Sequence, residues 1–322
     1  MLDSIVAISN PRSGRNKRGG FEKFTRAVNK FSEISHIVTA NEYELADALQ
    51  QCKNQNSQII IVNGGDGTLL QILTYLKYEC QDKYAPLLVL LQSGTTSMAY
   101  GDVGCKGNHE NVLYRAVNYA KGNKRCLRNT PRQVLQMTLP NSGKVICGMF
   151  FGAGVIYNGI LYCRQKMHTK GIRGEIGPSM TMIRYLLDWI TVNKLTTSSH
   201  ANIKIHDRKS ASGEFTIITA TTLHRLLAGV FPFWGSSASQ NYFSFTLIKK
   251  NAPRAFTTFI KILTKKTASL DKQSDYYQSE CPEKVILDIK DGFTLDGELF
   301  GKEGESTKVI LETAGEVNFL TV

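Results

Sequence analysis

The segment Gly64-Gly65-Asp66-Gly67-Thr68 follows the apolar run of residues 59–62 and precedes a helical pattern, LLQILTYL. Glycine costs backbone entropy on folding, so such a cluster marks a tight turn or a place where a ligand approaches the main chain. Backbone N–H groups in this setting can converge on an anion, and the dipole of the following helix adds favourable potential. The pattern therefore predicts a phosphate-binding loop, with the helix starting near Thr68.

A simpler interpretation explains the same residues as a tight turn with Asp66 capping the helix. The preceding strand and the following helix are the context that a phosphate motif requires, and they favour phosphate. The loop is not a Walker A motif, because it lacks that motif's lysine. Since Asp66 would repel a bare phosphate, we expect it to reach a Mg²⁺ ion that the phosphates also hold, or to accept hydrogen bonds that shape the loop.

Two further loops occupy equivalent positions. Residues 10–14, Asn-Pro-Arg-Ser-Gly, follow the apolar run 5–8 and precede more basic residues, and residues 92–99 follow the apolar run 87–91. Apolar strands that alternate with helical patterns predict a parallel sheet covered on both faces. Ligands of such sheets bind beyond the carboxyl ends of the strands, so we expect the three loops to line one edge and to share one ligand.

The pattern changes near residue 130 to short β-branched and aromatic runs separated by turn residues, which is typical of antiparallel sheets. We therefore predict an N-terminal doubly wound α/β domain with a parallel sheet, residues 1–129, followed by an antiparallel β-sandwich domain, residues 130–312. The tail, from about residue 313 to 322, is expected to return to the first domain. Two amphipathic stretches, near residues 178–194 and 253–266, favour helices docked on the core, with a lipid-facing role as the alternative.

The segment Phe293-Thr294-Leu295-Asp296-Gly297-Glu298-Leu299 also carries chemistry. An Asp-Gly pair between apolar runs is typical of a hairpin turn. Alternatively, Glu298 acts as a general base that deprotonates an acceptor hydroxyl. The residues alone leave both interpretations open.

Composition limits the partners and the compartment. Thirty-nine Lys and Arg against 27 Asp and Glu give a formal charge of +12, which favours anionic surfaces, although a well-solvated basic surface explains the charge equally well. The seven cysteines are scattered without a C-x-x-C pair, which argues against disulfides and zinc and favours a reducing compartment. No apolar run suits a secretory signal or a membrane span. We expect a cytoplasmic protein, soluble or peripheral to a membrane.

The combination of motifs resembles the diacylglycerol kinase catalytic family, which includes bacterial lipid kinases and sphingosine kinases. The resemblance rests on the Asn-Pro-x-Ser-Gly loop, GGDGT, the Gly94-Thr95 pair and the late Asp-Gly-Glu, together with FFGAGVIYN at residues 150–158. It implies an ATP-dependent kinase that binds ATP between the two domains. With Mg²⁺ as a cofactor, the γ-phosphoryl group would pass to a lipid hydroxyl such as that of diacylglycerol.

The resemblance also implies roles for particular residues. Glu298 would be the catalytic base with Asp296 in support, and Asp66 would act near magnesium and the phosphates. The residues expected to contact nucleotide are Asn10, Thr39, Gly64, Gly65, Asp66, Gly67, Thr68 and Thr95. The chain departs from the family pattern at Ser97 and Met98, where asparagine and an acidic residue are common.

Two other functions stay open at this point. An NAD kinase explains GGDGT but leaves the first-strand loop and the late Asp-Gly-Glu unexplained. A catalytically silent module that binds nucleotide or lipid on the same fold is the second alternative. The expected partners are a lipid with a free hydroxyl and an anionic membrane surface. Nucleic acid is not expected, because no recognition motif combines aromatic and basic residues, and a homodimer is compatible with the sequence.

Overall fold

The computed structural model describes residues 4–80, 83–94, 98–170, 198–205, 209–226, 233–235, 241–253, 258, 261, 275–302 and 304–322. The two amphipathic stretches near residues 178–194 and 253–266 lie almost entirely outside this described part. The chain divides into two compact units, one formed by Met1–Val134 with Gly315–Val322 and the other by Leu135–Ala314. They are called the first and the second unit below.

The first unit contains a parallel sheet with helices in the connections. Its strands are β1 (Ile5–Ser9), β2 (Ile34–Val38), β3 (Ile59–Asn63) and β4 (Leu87–Leu90). Its helices are α1 (Gly20–Val28), α2 (Glu42–Asn54), α3 (Asp66–Thr74), α4 (Met98–Val103) and α5 (His109–Ala120). Every strand pair in the order β4-β3-β1-β2 is parallel.

The two central strands explain why the apolar runs are continuous rather than alternating. All five residues of β1 and all five of β3 are buried, because the helices of the connections cover both faces of the sheet. Phe24 of α1 fills the core on one side and meets the rings of His36 and His109 edge-on, with ring centroids 5.4 Å apart in both pairs. A half-buried bidentate ion pair between Arg132 and Asp102 fixes the end of α4.

The second unit consists mainly of antiparallel strands. Along the chain the elements are β5 (Arg128–Leu139, which begins in the first unit), β6 (Lys144–Gly148), β7 (Phe150–Gly154), α6 (Val155–Lys170), β8 (Ser199–Ile205), β9 (Lys209–Thr221), β10 (Ser244–Lys249), β11 (Tyr277–Glu280), β12 (Lys284–Ile289), β13 (Phe293–Leu295), β14 (Glu298–Phe300) and β15 (Thr307–Thr321). Neighbours in the order β14-β13-β7-β9-β8-β12-β15 are antiparallel, β10 pairs with β9 and β11, and β5 pairs with β6.

The last strand contributes to both units. Its first half pairs with β12, whereas Phe319 near its end pairs in parallel with Leu88 of β4. The predicted fold class, parallel α/β followed by antiparallel β, is confirmed. Among the described residues, every helix is too short or too polar to cross a bilayer.

Candidate functional site

The loops after β1, β3 and β4 meet at Gly65. A Cβ atom placed on Gly65 would lie 3.5 Å from Cα of Gly94 and 3.9 Å from Cβ of Ser13. These three residues belong to the three loops that the sequence assigns to one edge of the sheet. The structure therefore brings the loops together around one backbone position, and Gly65, Asp66 and Gly67 are half-buried there rather than covered.

Helix α3 begins earlier than the sequence pattern suggests. The predicted start near Thr68 is wrong, because the helix starts at Asp66 with Gly65 as its N-cap. Asp66 is therefore the first helical residue and not the cap, which removes the simple capping interpretation. The amides of Thr68 and Leu69 donate to the carbonyl of Gly65 in the first turn.

The start of α3 differs from those of two other helices. Asn41 caps α2 by accepting a hydrogen bond from the amide of Glu44, and Asn108 caps α5 in the same way. Gly65 has no side chain to do this for α3. A helix start without a side-chain acceptor leaves the positive end of the dipole available to an external anion.

Gly64 is required by the close approach of Thr68. A Cβ on Gly64 would lie 2.6 Å from the Thr68 Cβ and 2.7 Å from its two terminal atoms. The Thr68 hydroxyl also accepts a hydrogen bond of 3.3 Å from Nδ2 of Asn10. Two residues expected to contact nucleotide, Asn10 and Thr68, therefore join the first loop to the start of α3.

A polar network of three buried residues, Ser9, Asn63 and Ser93, and the half-buried His36 lies beneath the loops. Nδ2 of Asn63 donates to the hydroxyl of Ser9 over 3.2 Å, and the hydroxyl of Ser93 donates to Oδ1 of Asn63. Nε2 of His36 lies 2.8 Å from the same Ser9 hydroxyl. The network links the carboxyl ends of β1 and β3 with the loop after β4 and the middle of β2. Sequence reasoning missed it, because its members are far apart in the chain and meet only in the folded sheet.

The first loop is held by Asn16. Its side-chain amide donates to the carbonyls of Asn10 and Asn63 over 2.8 and 3.0 Å, and the hydroxyl of Ser13 also donates to Asn10. The amide of Arg15 donates to the carbonyl of Ser93 over 2.9 Å. Because its inner surface is fixed in this way, the loop can present its basic side chains outward.

The remaining predicted nucleotide contacts have different positions. Thr39 lies just beyond β2, is buried, and donates its amide to the carbonyl of Ser9. Thr95 lies outside the described residues. The space beside Gly64, Asp66 and Tyr100 is about 10 Å³, roughly one water, which is too small for a phosphate.

The described residues contain no group of three or more His, Cys, Asp or Glu side chains that could hold a metal by themselves. Mg²⁺ usually keeps several waters and binds through one or two carboxylates together with substrate phosphates. Half-buried Asp66 beside the loop fits that kind of site. Any Mg²⁺ at this position would therefore arrive with the phosphates.

In the second unit, Asp296 and Gly297 form the two-residue turn between β13 and β14. Both have positive φ, 47° and 86°, as the Asp-Gly hairpin interpretation requires. The Asp296 carboxylate is buried and accepts hydrogen bonds from the amides of Met149 and Phe150 over 2.9 and 2.8 Å. A Cβ on Gly148 would lie 2.6 Å from this carboxylate, so the fit requires glycine there. Asp296 thus ties the hairpin to the start of β7.

Glu298 follows the turn, and its side chain is 51% exposed. Its Oε2 lies 3.7 Å from Nη2 of Arg164 on α6, and the same nitrogen donates to the carbonyl of Gly297 over 2.7 Å. Arg164 therefore orients both the turn and the carboxylate. No sequence motif marks Arg164, because its partners are more than one hundred residues away.

These features define a parallel α/β protein with three converging loops at the carboxyl edge of its sheet. Residues 4–125 match the family model of the diacylglycerol kinase catalytic domain, which confirms the resemblance over this part of the chain. A domain of this kinase family implies a phosphotransferase that uses a nucleotide. No curated protein matches the chain significantly.

Solved structures agree on the fold. Two structures assigned as diacylglycerol kinases from Bacillus anthracis str. Sterne are each 16% identical and superpose with TM-scores of 0.65 and 0.64, covering 98% of this chain and 96% of theirs. Yeast NADH kinase in complex with NADH is 10% identical with a TM-score of 0.50, covering 100% of this chain and 84% of its own. At these identities the similarity shows the fold alone.

The crowding at Gly64 predicts different costs for two neighbouring substitutions. Gly64→Ala pushes a methyl group into Thr68, so we expect it to lower the free energy of unfolding by about 1–3 kcal/mol. Gly65→Ala meets no atom closer than 3.5 Å and serves as the matched control, with a change below about 1 kcal/mol. Urea denaturation measures both, and equal losses would contradict the described packing.

The two histidines beside Phe24 predict a pH dependence of stability. Burial lowers the pKa of His36, and burial together with the positive charges of Arg15 and Lys23 lowers the pKa of His109. In the unfolded chain the two imidazoles have a pKa near 6.5, so they bind protons at a higher pH than they do in the folded chain. The free energy of unfolding should therefore fall as pH drops below about 6.5.

Denaturation at several pH values between about 7.5 and 5.5 tests this, since most carboxylates titrate lower. The double variant His36→Gln/His109→Gln should lose less stability across that window than the native chain. Parallel curves for the two proteins would show that these histidines do not carry the effect.

Proposed function

We propose that the chain is an ATP-dependent lipid kinase. The observation that carries the proposal is the meeting of three loops at Gly65, beside a helix start that has no side-chain cap. Main-chain amides at such a place bind phosphate oxygens without needing a particular side chain. The basic residues Arg12, Arg15, Lys17 and Arg18 on the first loop add positive charge for a triphosphate.

In this proposal the other predicted contacts surround the same phosphates. Asn10 and Thr68 hold the first loop against α3. Gly67 adds a main-chain amide in the first helical turn. The family resemblance adds Thr39 and Thr95 as further contacts to the nucleotide. Asp66 would hold Mg²⁺ together with the phosphate oxygens. When bound, Mg²⁺ neutralises charge that develops on the transferred group.

The transfer step assigns the acceptor proton to Glu298. The lipid hydroxyl oxygen bonds to the γ-phosphorus, the bond from that phosphorus to the β–γ bridging oxygen breaks, and ADP leaves. The hydroxyl proton passes to the Glu298 carboxylate, which is exposed enough to meet a substrate. Asp296 and Arg164 act as positioning residues, because they hold the turn and the carboxylate rather than the reacting atoms.

The substrate side of the proposal follows from the family resemblance. The acceptor is a lipid with a free hydroxyl, with diacylglycerol as the first candidate. The protein would act in the cytoplasm at an anionic membrane surface, consistent with its charge of +12. Nucleic acid is not proposed as a partner.

Incubation with γ-labelled ATP, Mg²⁺ and a lipid extract tests the reaction. We expect label in the chloroform phase, and identification of the labelled product names the acceptor. Label on added NAD instead would favour the NAD kinase alternative, which shares the GGDGT loop. ATP binding without transfer to either acceptor would favour the silent module.

Glu298→Gln tests the base. Loss of a general base should lower kcat by about 10²- to 10⁴-fold while ATP binding stays nearly unchanged. Glu305→Gln, an exposed glutamate of the same unit paired with Lys302, is the matched control and should keep native turnover. Native turnover in Glu298→Gln would remove Glu298 from the mechanism.

A further inference from the structure

The first unit has a second concave surface, which shares no lining residue with the small space beside Gly64. This surface is a groove of about 930 Å³ between α5, the segment of residues 121–127 and the start of β5. Its lining includes four cationic side chains, Arg115, Lys124, Arg125 and Arg128, and no acidic side chain. We call it the basic groove.

Two nearby acidic residues pair with lysines that do not line the basic groove. Glu110 pairs with Lys30 over 3.0 Å, and Glu33 pairs with Lys121 over 2.5 Å. Within the described part of the chain, Arg115, Arg125 and Arg128 form no ion pair. Lys124 places its ammonium 4.1 Å from the centre of the Tyr119 ring, a cation–π contact.

The walls of the groove are fixed by the core. Val112, Leu113, Ala116 and Val117 bury one face of α5, so the opposite face with Tyr114 and Arg115 points away from the sheet. Tyr114 is 61% exposed at the groove. Tyrosine with an apolar ring and a polar tip suits the boundary between headgroups and acyl chains.

We propose that the basic groove binds the phosphate headgroups of acidic phospholipids and so docks the chain on an anionic membrane. Arginine binds phosphate oxygens in pairs, and three of the four cations are arginines. Each Lys or Arg close to an anionic leaflet raises partitioning roughly fivefold. A single exposed tyrosine offers no row of rings on which successive bases could stack, so lipid is favoured over single-stranded nucleic acid.

The docking site is independent of the kinase reaction and is tested without ATP. Cosedimentation compares phosphatidylcholine vesicles with and without phosphatidylglycerol. The native chain should bind the acidic vesicles, lose that binding as salt rises, and ignore the neutral ones. Arg125→Glu/Arg128→Glu should lower partitioning onto acidic vesicles by at least about 25-fold, fivefold for each cation lost.

The matched control is Lys290→Glu/Lys308→Glu, which alters net charge equally at two exposed lysines of the second unit. It should lower partitioning by less than about fivefold. Equal losses in the two variants would overturn the proposal, since net charge alone would then explain binding. Thermal melts show whether each variant is folded. If the charge-reversal variant is unfolded, Arg125→Gln/Arg128→Gln takes its place in the test, with the same 25-fold threshold.

Two other ligands are distinguished in the same assay. Soluble glycerol phosphate should not displace the protein from vesicles at millimolar concentration, because a single phosphate lacks the multiple headgroups of a surface. Displacement would show a site for a free phosphate ester. The lipid assignment would also be overturned if the native chain bound an oligonucleotide but not acidic vesicles at the same salt concentration, and if Arg125→Glu/Arg128→Glu lost the oligonucleotide binding.

Discussion

The arrangement of the candidate site depends on the hydrogen bonds of Asn63, the last residue of β3. Its side-chain amide joins Ser9 and Ser93, and its carbonyl accepts from Asn10 and from the side chain of Asn16. Asn63 is completely buried, and an unsatisfied buried polar group costs about 1–3 kcal/mol. The loops after β1, β3 and β4 can keep all these bonds only in one relative arrangement.

This anchoring separates the inner and outer sides of the loops. The inner side is rigid and polar, since the network beneath it is satisfied by protein groups. The outer side keeps half-buried glycines and a helix start without a side-chain cap. Fixed dipoles aimed at a ligand need little reorganisation when charge moves, which is the requirement of phosphoryl transfer.

A similar division holds in the second unit. Asp296 carries a carboxylate, yet that group is committed to two backbone amides and secures the turn. Glu298, two residues later, carries the exposed carboxylate next to Arg164. One acidic residue therefore builds the hairpin and the other is available for chemistry, so the two interpretations of Asp-Gly-Glu are compatible.

Features set by neighbouring residues could be predicted from the sequence. The apolar runs marked the parallel strands, the glycine clusters marked the loops after them, and Asp-Gly marked the hairpin. The start of α3 was predicted two residues too late, because Gly65 gives no side-chain capping signal. The Asn63 network could not be predicted, since Ser9, Asn63 and Ser93 meet only through sheet register. The basic groove likewise needs the packing of α5 beside the start of β5.

Selective ¹⁵N-glycine labelling tests the central claim most directly, because it reports on the main-chain amides themselves. Titration with Mg²⁺ and ATP should shift the amide signals of Gly64, Gly65 and Gly67, while those of Gly143 and Gly213, which belong to neither the candidate site nor the basic groove, stay in place. Unmoved signals at residues 64–67 under saturating ATP, with shifts at other glycines, would contradict the assignment of this loop as the phosphate site.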